Sequence, residues 1–357
     1  QWCGMGRRLL ETYPAFREAV EACDQHLQPR LGRSVVDLLT TSDASALAQT
    51  RFAQPSVFAM QLGLAALWNQ AGLVPTAVVG HSMGEVAAAA VCGALTLEEA
   101  CTVLFERSRL MQESSGHGRM TLVRAPLGDV ERLAMAHDVE IATINNPEAI
   151  VVAGSPGRIA ALSEAAAREG ISVRDLGVDY AFHSSQMDPY CARLESALDH
   201  LRPRAGHIPM VSTVEGRVVE GSTLTAAYWV RNMRERVRFG DAIEALLCQH
   251  HRTFVEFGPH AVHRFDVVAC ASRSSTTAEV LSPVRAHQDP VRSVLDTARD
   301  AFLQGLAIDL TPLTAPGRVT ALPAYPWQRR RFAPNHQPAD HGHGAGHPLT
   351  GASLETA

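Results

Sequence analysis

The chain has 357 residues, 46% of them hydrophobic and 19% charged, which is enough to bury a large globular core. Its formal charge of −5, without a basic block or a long apolar run, argues against nucleic acid or a membrane as a partner. Seven scattered cysteines without a Cys-x-x-Cys pair indicate a reduced, cytoplasmic protein, and because every basic residue is arginine, a Schiff-base mechanism is excluded.

The first third of the chain combines predicted helices with one strand. Apolar residues at helical spacing predict four helices, at 6–27, 52–71, 85–91 and 97–112. The apolar run 74–80 predicts a strand that leads into the third helix. A glycine-rich break at 114–119 ends this part of the chain.

In residues 119–180 short apolar runs alternate with helical patterns, and this change predicts a small inserted subdomain. Short apolar runs predict four strands, at 120–124, 140–144, 149–153 and 171–176. Helical patterns lie at 127–136 and 155–169. The resulting order βαββαβ is that of a ferredoxin-like fold.

The main fold resumes at residue 181. Further helices are predicted at 187–201, 241–249 and 291–304, and further strands at 208–213 and 253–257. The fold class is therefore α/β. Residues 1–118 and 181–305 are expected to form a large α/β-hydrolase-like subdomain with a parallel sheet that carries the insert. Residues 306–332 are expected to be a linker, as are residues 333–357, whose first part is rich in Pro, Gly and His.

The most informative motif is Gly80-His81-Ser82-Met83-Gly84, between a predicted strand and a predicted helix. A Gly-x-Ser-x-Gly turn of this kind lifts a serine hydroxyl into a cleft, and the helix N-terminus behind it favours developing negative charge. We expect both glycines to be required by close backbone approach and one residue to have an unusual φ. The alternative is a structural turn that carries a solvated serine.

A serine nucleophile needs a base within hydrogen-bond reach. Among sixteen histidines the best candidate is His183, which lies where the chain re-enters the main subdomain. His81 is expected to support the turn or to pack. Asp175 and Asp179 are the acids near His183, but neither can be placed as the group that orients it, and a backbone carbonyl would serve equally well.

Two arginines, Arg107 and Arg109, follow the turn on a predicted helix. Helix arginines are commonly solvated. A buried guanidinium that faces a cleft instead binds a carboxylate through two parallel hydrogen bonds, which would imply an acidic acyl substrate. The histidines at 341–347 match no closed zinc set, and no metal site is expected.

The chain resembles the acyltransferase domains of modular type I polyketide synthases and, more distantly, the malonyl-CoA:acyl-carrier-protein transacylases. The resemblance runs nearly end to end. It rests on motifs in the family's order, at residues 1–6, 53–56, 80–85, 107–108, 145–147, 181–184, 232–239, 254–260 and 325–328.

The resemblance implies a role for each matched residue. Ser82 would attack an acyl-CoA thioester, and His183 would act as general base and then as acid, oriented by a backbone carbonyl near Glu235. Arg107 would bind the free carboxylate of a malonyl-type unit, and the backbone N–H of Met83 would stabilise the oxyanion. Three residues, His81, Gln54 and Asn145, would support the site.

The implied reaction is a ping-pong transfer from malonyl-CoA or methylmalonyl-CoA to the phosphopantetheine thiol of an acyl carrier protein. The domain itself would bind no cofactor. Ketosynthase and dehydratase-like domains would flank it in the parent polypeptide, and residues 346–349 resemble the start of a dehydratase-like domain. The alternative on the same scaffold is a serine hydrolase or editing thioesterase.

The sequence departs from the family at three places. The family's Gly-Gln-Gly segment would precede Gln1, so we expect the N-terminal strand and the second oxyanion donor to be missing. Arg236 stands where the family usually has proline. The segment from Tyr180 to His183 mixes the malonyl pattern His-Ala-Phe-His with the methylmalonyl pattern Tyr-Ala-Ser-His.

Extender selectivity depends on the size of the side chain at position 182. The ring of Phe182 would occupy the space that an α-methyl group needs, and overpacking a tight site costs roughly 1–3 kcal/mol. Met83 also resembles the apolar residue of malonyl users. Malonyl is therefore favoured, with methylmalonyl as the alternative that Tyr180 keeps open.

Overall fold

The computed structural model describes residues 1–314 together with residues 317, 321, 323, 326 and 327. The chain divides into two compact units, Gln1–Ala315 and Pro316–Ala357, and all described helices and strands belong to the first. The predicted linker at 333–357, its histidines and the dehydratase-like match at 346–349 lie outside the described residues, as do residues 325 and 328 of the motif at 325–328.

Five helices precede the first strand: α1 (Arg7–Thr12), α2 (Pro14–Leu31), α3 (Val35–Thr40), α4 (Ala44–Ala48) and α5 (Thr50–Gln70). The single helix predicted over 6–27 is broken at Tyr13, which is extended. The break follows from Pro14, because the residue before a proline is disfavoured in the helical region. The sequence prediction missed α3 and α4.

The strand that feeds the serine is short. It is β1 (Val78–Val79), and it is followed by α6 (Gly84–Val91) and α7 (Leu97–Glu113). The prediction of a strand over 74–80 was too long, because only Val78 and Val79 find a partner strand for their backbone groups. Helix α7 begins with a capping box between Thr96 and Glu99, which fixes its start.

The small subdomain has the predicted ferredoxin-like fold. Its elements are β2 (Arg119–Arg124), α8 (Leu127–His137), β3 (Glu140–Asn146), β4 (Ala149–Gly154), α9 (Pro156–Arg168) and β5 (Ser172–Asp175). The strands form one antiparallel sheet in the order β3-β4-β2-β5. Val123, Val130, Ile150, Val152 and Leu162 are buried in a core of its own. The division at residues 118 and 181 remains a proposal.

The rest of the large subdomain is made of α10 (Asp188–Ala197), β6 (Met210–Ser212), β7 (Arg217–Val219), α11 (Ala226–Arg234), α12 (Phe239–Cys248), β8 (Thr253–Val255), α13 (Arg264–Arg273), β9 (Glu279–Leu281) and α14 (Pro290–Leu303). The expected parallel sheet is present as two short pieces. One has the order β1-β6-β7, in which β1 is parallel to β6 but β7 is antiparallel to β6, and the other pairs β8 with β9 in parallel.

The main core lies beneath α2 and α5. Its largest fully buried side chains include Phe16, Phe58, Trp68 and Trp229. Buried side chains of α6 and α7 pack in this core. The N-terminus of α6 lies where the large subdomain meets the small sheet, a boundary that we call the seam. The serine, the histidine and the arginine identified from the sequence all meet at this seam.

Candidate active site

Ser82 lies in a strained turn between β1 and α6. Its φ is 53°, in the left-handed region that L-residues rarely adopt. A Cβ on Gly80 would meet the carbonyl carbon of Gly84 at 2.1 Å, so only glycine fits there. The expectation was wrong for Gly84, where a Cβ would have only a Gln61 side chain at 3.9 Å. The backbone strain of this turn is therefore at Ser82, which has the positive φ, and not at Gly84.

The Ser82 hydroxyl lies between a base and a cation. Its Oγ is 2.8 Å from Nε2 of His183 and accepts a 2.7 Å hydrogen bond from the Arg107 guanidinium. Because a guanidinium only donates, the serine proton is left to point at His183 Nε2. The arrangement therefore holds a hydroxyl whose proton is already directed at an acceptor.

The backbone carbonyl of Glu235 orients His183. It accepts a 2.9 Å hydrogen bond from His183 Nδ1, which leaves Nε2 unprotonated and facing Ser82. Asp175 and Asp179 are exposed, and the Asp175 carboxylate accepts instead from the N–H of Gly177. The choice that the sequence left open is resolved in favour of the carbonyl.

The backbone on both sides of the Glu235 carbonyl is hydrogen-bonded, once within the large subdomain and once to the small sheet. Glu235 N–H donates to the carbonyl of Arg231 at the end of α11, and Val237 N–H donates to the carbonyl of Ala142 in β3. Arg236, which stands where the family usually has proline, is exposed, and these hydrogen bonds form on either side of it.

His183 is 5% exposed and, like Ser82, has a positive φ, of 59°. Burial, together with the charge of Arg107 and the neighbouring His81, lowers the pKa of His183 to about 3. The imidazole is therefore neutral at physiological pH, which is the form that accepts a proton.

The structure separates the two arginines of α7. Arg107 is 1% exposed, and besides Ser82 it donates to Gln54 Oε1 at 2.7 Å and to Asn232 Oδ1 at 3.1 Å. Burial lowers the pKa of Arg107 to about 10, so that the group keeps its charge near pH 7. Arg109 instead pairs with Glu106 and Glu113 on the helix surface.

His81 supports the turn through packing. Its Nε2 lies 2.9 Å from Oδ1 of Asn145 in β3, and its ring stacks on His263 with 4.5 Å between ring centroids. Burial, with the neighbouring His263, lowers the pKa of His81 to about 3. The imidazole is thus neutral and ties the turn to the small sheet.

Two aromatic residues of the segment 180–183, Tyr180 and Phe182, pack against each other. The rings of Tyr180 and Phe182 stack with 3.8 Å between centroids and 11° between planes, and Phe182 is 7% exposed. Met83 precedes the first turn of α6, and within the described residues its N–H donates to no backbone carbonyl. That donor is therefore available to an oxyanion at Ser82.

A cavity of about 550 Å³ opens beside His183, between α8 and the segment that follows α11. Its lining includes Glu140, Arg234, Arg236 and Arg238. Arg234 pairs with Glu140 and with Asp188. His183 and Glu235 line this cavity, whereas Ser82 and Arg107 do not.

Sequence reasoning assigned no role to three residues that hold the site together. Glu85 is fully buried and accepts hydrogen bonds from Tyr228 and Asn232. Glu85 and Asn232 belong to the quoted motifs at 80–85 and 232–239, which was the available signal. Nothing in the sequence singled out Tyr228, which lies 143 positions from Glu85.

Within residues 1–314 and the few described beyond them, no group of three or more His, Cys, Asp or Glu side chains is placed to hold a metal ion. In the same part of the chain, no helix combines the length and the apolar character needed to cross a membrane.

The family model described as acyl transferase domain matches residues 1–307. Erythronolide synthase EryA2 of Saccharopolyspora erythraea is 39% identical over 339 residues, which are 93% of this chain and 9% of that protein. The chain thus spans about a tenth of the length of this relative.

Two solved structures are similar over most of the chain. The acyltransferase domain from module 8 of the salinomycin polyketide synthase has a TM-score of 0.84 and 35% identity, and the match covers 87% of this chain and 74% of that one. The acyl transferase domain of SpnD, in complex with 2-(pent-4-yn-1-yl)malonyl, has a TM-score of 0.79 and 28% identity, with coverages of 88% and 75%.

Proposed function

The chain belongs to the acyl transferase domain family, in the form found in modular polyketide synthases, and from this premise we propose that it moves a malonyl-type unit from CoA to an acyl carrier protein through an ester on Ser82. One observation carries the proposal: the hydroxyl of Ser82 is shared between a neutral base, His183, and a buried cation, Arg107. A base activates the nucleophile, and the cation selects an acyl group that carries a free carboxylate.

In the first half-reaction, Ser82 Oγ attacks the thioester carbonyl while its proton passes to His183 Nε2. The oxyanion accepts a hydrogen bond from the N–H of Met83. Collapse of this intermediate breaks the C–S bond, and the CoA thiolate leaves with the proton from His183. The product is an acyl ester on Ser82.

In the second half-reaction the phosphopantetheine thiol of an acyl carrier protein replaces CoA. His183 takes the thiol proton, the thiolate attacks the ester carbonyl, and Ser82 leaves and recovers its proton from His183. The phosphopantetheine belongs to the carrier protein, and the domain needs no cofactor of its own. Both thiols must reach His183, which lines the cavity described above.

Arg107 binds the free carboxylate of the acyl unit. Gln54 and Asn232 each occupy one side of the guanidinium, which leaves its remaining nitrogen directed at Ser82. The bound carboxylate also offsets a charge that lowers the pKa of His183. Substrate binding therefore makes the base stronger at the moment it is needed.

Malonyl is the preferred unit in this proposal. Phe182 is buried and stacked on Tyr180, so its ring cannot easily move away from an α-methyl group. Tyr180 thus holds Phe182 in place by stacking on it. A tyrosine typical of methylmalonyl-selective members is therefore compatible with malonyl selectivity. Flanking ketosynthase and dehydratase-like domains in the parent polypeptide belong to the same proposal.

The test is to incubate the 357-residue chain with acetyl-, malonyl- and methylmalonyl-CoA and to measure the mass added at Ser82. A malonyl ester that persists until a phosphopantetheinylated carrier protein is added, and then moves to it, is the expected result. The Ser82→Ala variant is the control and should gain no mass.

Two other outcomes would contradict the proposal. Rapid release of free malonate without a carrier protein would indicate a hydrolase or editing thioesterase. A chain that is acylated equally by acetyl-CoA and malonyl-CoA would show that Arg107 does not select for a carboxylate.

A further inference from the structure

Glu85 is a buried carboxylate that takes no part in the steps above. It lies in the first turn of α6 and is 0% exposed. Its oxygens accept hydrogen bonds from the backbone N–H and the hydroxyl of Thr213, from the Tyr228 hydroxyl at 2.8 Å and from Asn232 Nδ2 at 2.7 Å. A carboxylate buried without such donors would be strongly unfavourable.

The cation that Glu85 faces is Arg107, but Asn232 lies between them. Asn232 Nδ2 donates to Glu85 Oε2 and, at 3.2 Å, to the carbonyl of Ser82. Asn232 Oδ1 accepts from Arg107 Nε at 3.1 Å. One amide thus connects the carboxylate, the cation and the backbone of the nucleophile.

Only one orientation of this amide satisfies all three partners. A carboxylate and a carbonyl oxygen only accept, and a guanidinium only donates. A reversed amide would put Nδ2 against the Arg107 N–H and Oδ1 against the two acceptors. Glu85, the Ser82 carbonyl and Arg107 therefore all favour the same orientation of Asn232, and the Glu85 contact, at 2.7 Å, is the shorter of the two that Nδ2 makes.

We propose that Glu85 is a positioning residue for Arg107: it fixes the amide of Asn232 and thereby the plane of the guanidinium that receives an acidic acyl group. The inference rests on the proposed function, because it assigns Glu85 a part in choosing substrates with a free carboxylate. Glu85 itself touches no substrate.

The consequence is specific to one class of substrate. With Gln54 and Asn232 both in place, the third guanidinium nitrogen has one direction, toward Ser82. When the acceptor for Nε is lost, the guanidinium is free to tilt, and a carboxylate meets it in poor geometry. An acyl group without a carboxylate does not use this contact and is unaffected.

The deciding variant is Glu85→Gln in the 357-residue chain. An amide at position 85 has only one accepting end, so it cannot satisfy both the Thr213 N–H and Asn232 Nδ2 as Glu85 does. We expect Asn232 to shift and its contact with Arg107 Nε to weaken. The measurement is kcat/KM for acylation of Ser82 by malonyl-CoA and by acetyl-CoA, its decarboxylated counterpart. We expect the malonyl-to-acetyl ratio to fall about tenfold or more, mainly through KM for malonyl-CoA.

The matched control is Glu99→Gln, the same chemical change in the capping box of α7, which should leave the ratio unchanged. An unchanged ratio in Glu85→Gln, with a wild-type chain that prefers malonyl-CoA, overturns the inference and leaves the proposed function standing. A wild-type chain that shows no preference for malonyl-CoA or methylmalonyl-CoA over their decarboxylated counterparts counts against the proposed function instead.

If Glu85→Gln does not fold, two further variants decide. Asn232→Ala removes the acceptor of Arg107 Nε and leaves Glu85 its bonds to Thr213 and Tyr228. In Glu85→Gln combined with Asn232→Asp, the new amide at position 85 donates to the new carboxylate at position 232, which accepts from Arg107. A malonyl-to-acetyl ratio that falls in Asn232→Ala and is higher in the double variant supports the inference, and a ratio that does not fall in Asn232→Ala overturns it.

Discussion

The guanidinium of Arg107 donates a 2.7 Å hydrogen bond to the hydroxyl of Ser82. Arg107 lies in α7, whereas Ser82 lies in the turn before α6. In a malonyl group, one carbon separates the carboxylate from the thioester carbonyl. A carboxylate bound at Arg107 therefore brings the carbonyl within reach of Ser82 Oγ. The short distance between cation and nucleophile matches a short dicarboxylic unit.

Replacing Arg107 with alanine should abolish the preference for carboxylate-bearing substrates. Loss of two charge-assisted hydrogen bonds predicts a fall of about 100-fold or more in kcat/KM for malonyl-CoA, with a much smaller change for acetyl-CoA. Arg109→Ala is the control, because Arg109 lies on the surface of the same helix. Equal losses for both substrates would contradict the assignment.

The pH dependence of acylation should lack an acid limb in the range where histidines usually titrate. Burial lowers the pKa of His183 to about 3, so the base stays unprotonated as the pH falls. With acetyl-CoA as substrate, kcat/KM should be flat between about pH 5 and pH 8. A bend near pH 6.5 would show that the imidazole titrates as an exposed one.

The same experiment on Arg107→Ala carries a signed prediction. The charge of Arg107 is one cause of the lowered pKa of His183, so removing it should raise that pKa. The acid limb should then move to higher pH than in the wild-type chain. An acid limb that stays in place would mean that Arg107 does not act on the base.

Phe182→Ser should admit the α-methyl group. Relief of overpacking worth roughly 1–3 kcal/mol predicts a gain of about 5- to 150-fold in the methylmalonyl-to-malonyl ratio of kcat/KM. The readout is competition between the two acyl-CoAs for Ser82, measured by mass. Selectivity that does not change would refute the steric explanation and leave the Tyr180–Phe182 stack as packing alone.

Gly80→Ala and Gly84→Ala should differ sharply in stability. A Cβ at position 80 would overlap the backbone of Gly84 at 2.1 Å, whereas at position 84 the nearest atom is 3.9 Å away. We expect Gly80→Ala to lower the free energy of unfolding by about 3 kcal/mol or more, and Gly84→Ala to change it by less than about 1 kcal/mol. Thermal denaturation of the two variants measures the difference, and similar midpoints would contradict it.

Local patterns were sufficient to identify the family and the small subdomain. The turn at Ser82 has a five-residue signature, and the alternation of short strands and helices over 119–180 gave the ferredoxin-like order correctly. The large subdomain was harder, because β1 has two residues and its backbone partner β6 lies about 130 positions away. Strands this short leave little periodicity to detect.

The connections within the site could not be predicted, since they depend on packing between distant segments. Burial alone distinguishes Arg107 from Arg109, and burial is a property of the folded chain. The group that orients His183 is a carbonyl, which every residue type supplies equally. Glu85 and Asn232 interact across 147 positions, with no local pattern that links them.

The backbone on the two sides of the Glu235 carbonyl is hydrogen-bonded to different elements, Glu235 N–H to Arg231 in α11 and Val237 N–H to Ala142 in β3. The hydrogen bond that fixes the tautomer of His183 therefore depends on how α11 and the small sheet are aligned. A substitution in β3 that displaces this edge would alter the proton affinity at Nε2 without touching Ser82 or the substrate. We therefore expect the alignment of α11 with β3 to influence the acid–base chemistry of His183.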